Sequence, residues 1–366
     1  MKCKRIWKFA LMAGLTLAST NCVARAESNI VSKKGKVDIQ SAGPLAFGPN
    51  DMIFVGDPQV AAIIEIVTRT SSQTLPVTEI KLPGIDQKIA VLLKTTASEI
   101  VVNDLKVQPS TGVVYLSISA GGRPAIVRVD GKGKLTQMSL DNAEHSKLLI
   151  RDLSSPVDND QNGGQLRTES ITDLAFISGR LLVAGLSNSK GTSTLITIPY
   201  PFQENVTGTS VLIDHDAGGQ FETDATLQTF VPANIAGKPH ILAAYSNNSL
   251  VKAPLDKWSS GDRIRGVTVA ELGNQNLPRD MIEYRKNGRH NLLLANSGGG
   301  LLKLSTDDFR NQTSISGKVS DTPGVQIESI PGLTDVEQLD KLDEALAIVL
   351  IRTESSGLSL ETIPLP

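Results

Sequence analysis

Cysteine is almost absent from this chain of 366 residues: it occurs twice, at Cys3 and Cys22. So few thiols exclude a disulfide framework and any cysteine-built zinc site, leaving stability to packing. Aromatic residues make up only 4%, so aliphatic side chains must fill the core. Histidine occurs four times, at His145, His215, His240 and His290, and no two have the spacing of a metal-ligating pair. Past the first 26 residues no apolar run approaches the roughly 18 needed for a membrane helix. There is no Gly-x-Ser-x-Gly elbow, phosphate-binding loop or dinucleotide fingerprint. The sequence thus offers no motif of these three kinds on which to place a catalytic site.

What is present begins with a leader. Lys2, Lys4, Arg5 and Lys8 precede a short apolar core, Phe9 to Ala18, and Ala24-Arg25-Ala26 supplies a small-x-small cleavage pattern. The expectation is a signal peptide over residues 1–26, cleaved after Ala26, and a secreted or periplasmic protein. Ser19-Thr20-Asn21 before Cys22 is a poor context for lipid attachment. Both cysteines leave with the leader, together with five of the 36 basic residues and none of the 38 acidic ones. The remainder carries 31 basic against 38 acidic residues, a net charge of −7. That balance argues against nucleic acid and against anionic membrane as partners.

Residues 27–366 read as one repeating domain. The segment Ser170 to Phe202 is its unit: an apolar strand, a Ser178-Gly179 turn, a second apolar strand, a polar loop and a third strand near Pro199. Versions recur about every 55 to 70 residues. Their innermost strands begin near Leu45, Ile100, Ile171, Leu227, Asp280 and Asp335. Outer strands are expected at Val77–Leu82, Leu135–Leu140, Ser210–His215, Val267–Leu272 and Val325–Ile330, with a short helix over 86–95 and a polar insertion over 141–169. The sixth unit ends one strand short. Val37-Asp38-Ile39-Gln40-Ser41 matches Val325-Gln326-Ile327-Glu328-Ser329 in pattern, so the N-terminal strand is expected to complete the last unit near Leu360 and close a ring. Six four-stranded antiparallel units closed in this way make an all-β, six-bladed propeller. The pattern resembles the six-bladed β-propeller superfamily in its lactonase-like and NHL-like form, across residues 27–366.

Three groups of residues carry candidate chemistry. Asp104, Asp173, Asp280 and Asp335 each precede the first large apolar residue of an innermost strand, where Pro44 and Thr226 stand in the first and fourth units. They are expected to ring one mouth of the central channel with Asn103 and Arg279, either holding a cation or a polar ligand or starting their strands by accepting backbone amides. Arg279 is a candidate anion contact, or a partner for Asp280. Next, Asp158-Asn159-Asp160-Gln161-Asn162-Gly163-Gly164 through Glu169 fits D-x-[DN]-x-[DN]-G-x5-E, so Asp158, Asp160, Asn162, the Gly164 carbonyl and Glu169 are candidate calcium ligands. Gln165 stands where that loop carries an aliphatic residue, and Pro156 prevents a continuous entering helix.

Finally, Val102-Asn103-Asp104 followed by Val107, Gly112 and Tyr115 resembles a segment of the gluconolactonase-type hydrolases. That resemblance implies a divalent metal contacted by Asn103 and by a Glu in a Glu-Gly-Pro motif. This chain has Ala42-Gly43-Pro44 there, and alanine cannot ligate. Asp214-His215-Asp216 could tune a base but falls at the end of an outer strand. The functional expectation is a monomeric binding or scaffold module with its ligand at one channel mouth. The alternative is a metal-dependent hydrolase of the lactonase type using the channel carboxylates.

Overall fold

The computed structural model describes residues 30–69, 79–151, 153, 170–187, 192–203, 208–217, 220–222, 225–255, 258–273, 276–313, 315, 325–354 and 357–366. Two-residue turns with both φ angles positive, as at Ser178-Gly179, Ala236-Gly237 and Asn287-Gly288, join the first two strands of blades 3, 4 and 5. This turn geometry matches the twist of the strands it connects. The apolar runs accordingly fold as antiparallel meanders, and six separate sheets stand around a channel. The chain is a six-bladed β-propeller.

Each blade is named by its innermost strand. Blade 1 starts with Leu45–Phe47, blade 2 with Ile100–Val107, blade 3 with Asp173–Ile177, blade 4 with Leu227–Ile235, blade 5 with Pro278–Lys286 and blade 6 with Val336–Lys341. The outer strands expected for blades 2 to 5 lie in their predicted blades. The helix spans Ile85–Leu93.

The blades do not follow chain order around the ring. Six apolar clusters fill the six gaps between neighbours, and their membership gives the sequence 6–2–1–3–4–5 and back to 6. Blade 2 sits between blades 6 and 1, and blade 3 follows blade 1. Two expectations about outer strands are therefore corrected. The strand after blade 1, Lys81–Pro83, does not stay with that blade; it pairs with Gly357–Pro364 and completes blade 6. The outer strand of blade 1 is Ala143–Leu149, drawn from the segment expected to be a polar insertion.

The leader expected to close the ring lies elsewhere. Lys33–Gly35 adds a fifth strand outside Ala143–Leu149, and Val37 is buried between blades 1 and 2 with its N–H on the Leu140 carbonyl at 2.7 Å. Asp57 fixes the next turn by accepting the Gln40 and Ser41 amides at 2.6 and 3.0 Å. Packing explains the exchange. Ile80, Ile85 and Ile89 are buried with Leu350, Leu360, Val127 and Val129, so strand and helix together roof the gap between blades 6 and 2. The polar leader has too few large apolar residues to do this. The ring is thus closed by an internal strand.

Candidate functional site

The innermost strands of blades 2, 4, 5 and 6 share one irregularity. Register shifts by one residue between Val102 and Asp104, Leu227 and Thr229, Pro278 and Asp280, and Val336 and Gln338. The extra residues are Asn103, Gln228, Arg279 and Glu337. A β-bulge re-aims the side chain of its extra residue, and all four line the same cavity at the wider mouth, of about 700 Å³. Asn103 donates to the Ala42 carbonyl at 2.8 Å, and Glu337 accepts from Arg352 Nε at 2.6 Å. Arg279 makes one long contact, 3.4 Å to the Val336 carbonyl. Gln228 makes no side-chain hydrogen bond among the described residues. Ala42, Pro44, Pro58, Val101, Ile171 and Leu277 supply apolar wall.

Immediately inside this mouth lies a second tier, built of aspartates. Asp104 accepts the Leu45 amide of the next blade at 2.7 Å, Asp173 the Phe230 amide at 2.8 Å, Asp280 the Leu339 amide at 2.9 Å and Asp340 the Val107 amide at 2.6 Å. The other oxygen of each accepts the amide of the residue that follows it. All four clips point the same way around the ring, from blades 2, 3, 5 and 6 to their neighbours. The recurring aspartate thus holds blade to blade, a wider span than the local turn-capping expected of it. Lys106 reaches into the middle of the channel, 3.4 Å from Asp104 and 3.6 Å from Asp280. It borders the narrower mouth, a cavity of about 250 Å³ that Asp173, Asp280 and Asp340 also line.

One ammonium faces four carboxylates, three of them buried and that of Asp340 half-buried, and the titrations reflect that imbalance. Burial alone lowers Lys106, but the carboxylates of Asp104, Asp280, Asp340 and Asp173 outweigh it and hold the lysine well above its ordinary value. Burial raises Asp104 and Asp340, against the pull of Lys106, and raises Asp280 strongly. Asp173 is pushed by burial, and then by the Asp104 charge, from 3.8 to about 6. The folded chain therefore keeps a proton on Asp173 between pH 3.8 and about 6, where the unfolded chain has released it. Its contribution is full below 3.8 and is lost as pH rises through about 6, amounting to about 3 kcal/mol at most. Stability is expected to fall from pH 4.5 to pH 7.5 by an amount that Asp173→Asn reduces. Denaturant unfolding at the two pH values checks this, and identical slopes for wild type and variant would contradict it.

The expected site residues divide accordingly. Asn103 and Arg279 line the wide mouth, whereas Asp104, Asp173 and Asp280 are buried below it as clips. Arg279 is not bridged to Asp280, whose carboxylate faces Lys106. Asp335 is exposed, borders neither mouth and offers its main-chain carbonyl to Arg352. Its expected place in the tier is taken by Asp340, five residues on. The calcium-loop residues Asp158, Asp160, Asn162, Gly164 and Glu169, like the leader through Ala26, lie outside the described residues. Among the described residues no group of three or more His, Cys, Asp or Glu is suited to a metal ion.

The channel carboxylates have their oxygens on backbone amides, the Ala42 side chain has no donor atom and Asn103 is engaged with the Ala42 carbonyl, so the metal site of the gluconolactonase-type hydrolases does not fit here. None of the histidines borders the wide mouth. His290 Nδ1 lies 2.6 Å from Glu283, and buried His215 packs on Tyr245 with ring centroids 4.3 Å apart. Gln228 and Glu337 carry no signal in the sequence, because the bulges that aim them are defined only by strand register.

No protein-family model and no curated relative matches the chain. Among solved structures it is similar to Drosophila semaphorin 1a extracellular domains 1–2, at 10% identity and a TM-score of 0.41, over 93% of this chain and 88% of that one. It is similar to a streptogramin B lyase at 9% identity and a TM-score of 0.36, over 92% and 98%. The PQQ-bound aldose sugar dehydrogenase of Streptomyces coelicolor gives 12% identity and a TM-score of 0.35, over 92% and 98%. These are likenesses of fold. At such identities and scores no activity passes from them to this chain.

Proposed function

We propose that this protein is an exported propeller that acts as a binding module, with its ligand seated over the wide mouth of the channel. The observation that carries this reading is the set of four strand bulges, which turn Asn103, Gln228, Arg279 and Glu337 into one cavity of about 700 Å³. A cavity of this size, mostly apolar with a few convergent polar groups, is the usual form of a small-molecule site. The aspartate tier beneath supports it by fixing the strands that carry the bulges, so the site stands on a rigid floor. Export rests on the basic and apolar leader with its Ala24-Arg25-Ala26 cleavage pattern. The net charge of −7 left by its removal favours neither nucleic acid nor anionic membrane.

The test is to purify the protein from its native compartment, denature it and identify the small molecules released by mass spectrometry. Gln228→Trp, which fills the wide mouth, is expected to abolish recovery of the ligand. Val231→Trp, at the narrow mouth, is expected to leave it unchanged. A ligand recovered equally from both variants would refute the placement at the wide mouth.

A further inference from the structure

We infer that the wide mouth selects an organic carboxylate with an apolar body, its carboxylate held by Arg279 with Gln228 beside it on the adjacent blade; this rests on the binding role proposed above. The cavity has two cations, Arg279 and Arg352, and one anion, Glu337. Arg352 and Glu337 are joined at 2.6 Å, which leaves Arg279 as the cation without a carboxylate among the described residues. Its neighbour Asp280 does not serve it, because that carboxylate is turned into the channel toward Lys106 and the Leu339 amide.

A half-buried guanidinium with one long carbonyl contact has most of its planar fork of donors unmet. Leaving such a charge in a concave, mostly apolar site is unfavourable unless an anion completes it. Gln228, the corresponding bulge residue of blade 4, also makes no side-chain hydrogen bond among the described residues and can donate an amide N–H to the same group. A planar carboxylate matches the guanidinium fork in two parallel hydrogen bonds.

The surrounding wall defines the rest of the ligand. Val101 and Leu277 leave 54% and 50% of their surface open at the rim, and Pro44, Pro58 and Ile171 form the side below them. One unpaired positive charge in an apolar cup suits a singly charged acid with a hydrocarbon or aromatic body. It suits a phosphate dianion or a polyhydroxylated sugar less well, since a single guanidinium supplies one positive charge and most of the surrounding wall is apolar.

The experiment is a fluorescence titration of the full chain with dansyl-leucine and with dansyl-leucinamide, which differ only in the carboxylate. Wild type is expected to bind the acid at least about tenfold more tightly than the amide. Arg279→Gln is expected to remove that preference by bringing the acid's affinity down to that of the amide, without lowering the thermal midpoint, and Arg279→Lys to restore part of it. Equal affinities for the two probes, a preference that survives Arg279→Gln, or no binding of either probe at millimolar concentration would each overturn the inference. If the released native ligand still disappears in Gln228→Trp, only the carboxylate assignment falls and the binding role stands. If that ligand is also indifferent to Gln228→Trp, both fall.

Discussion

Replacing Lys106 with methionine is expected to destabilise the propeller by about 3–5 kcal/mol at pH 7.5, because it strands buried carboxylates without their counter-charge. Methionine keeps the apolar stem and fills most of the space, so the loss comes from charge more than from a cavity. The direction of the pH effect follows from the folded-state shifts. Asp104, Asp173, Asp280 and Asp340 all titrate above their ordinary range by burial, and Lys106 is the charge that restrains them. Without it the folded chain binds protons still more strongly than the unfolded chain. The penalty is therefore small in acid and grows as pH rises through the raised carboxylate range. Urea unfolding at pH 5 and pH 7.5 is the measurement: a loss at pH 5 well below that at pH 7.5 is expected. An equal loss at both would mean that Lys106 contributes packing alone.

A cross-link between residues 81 and 361 should form spontaneously on oxidation and stabilise the ring by up to about 5 kcal/mol, the range for a disulfide closing a very long loop. Lys81 and Glu361 are directly opposite each other and already form an ion pair at 3.3 Å. The variant carries Lys81→Cys and Glu361→Cys, with Cys3 and Cys22 changed to serine. Peptide mapping should recover the linked peptide, and the thermal midpoint should rise under oxidising conditions and return to that of the parent after reduction. A companion pair, Ile39→Cys with Leu360→Cys, tests closure by the leader and is expected to stay reduced. Efficient linkage in that second pair, and none in the first, would reverse the assignment of the closing strand.

The recurring aspartates were legible as a position but not as an interaction. Asn-Asp-Leu, Thr-Asp-Leu and Arg-Asp-Met mark inner strands because an acidic residue just before a buried run must find donors nearby. The donors turned out to be amides of the next blade, which sequence spacing does not show. In blade 6 the same pattern pointed to Asp335, because Thr-Asp-Val copies the motif. In blade 6 the residue after the bulge, where blades 2 and 5 carry Asp104 and Asp280, is Gln338, and the clip to a neighbouring strand comes instead from Asp340, at Val107. Gln228 and Glu337 illustrate the same limit, since a bulge is defined by the partner strand and leaves no fixed signature in its own.

The sequence by itself determined the repeat: six meanders with their turns, their buried faces and the short helix, because alternation, apolar runs and glycine turns act over a few residues. The count of blades followed from that local information. Only the tertiary structure decided which blade stands beside which, that Lys81–Pro83 completes blade 6, and that Ala143–Leu149 completes blade 1. An outer strand needs only a free edge and an apolar surface to cover, and several edges in the chain offer backbone partners of equal quality. The choice falls to the packing of Ile80, Ile85 and Ile89 into the gap between blades 6 and 2. That long-range fit also brings Lys106 against aspartates from other blades and leaves Arg279 facing the open mouth.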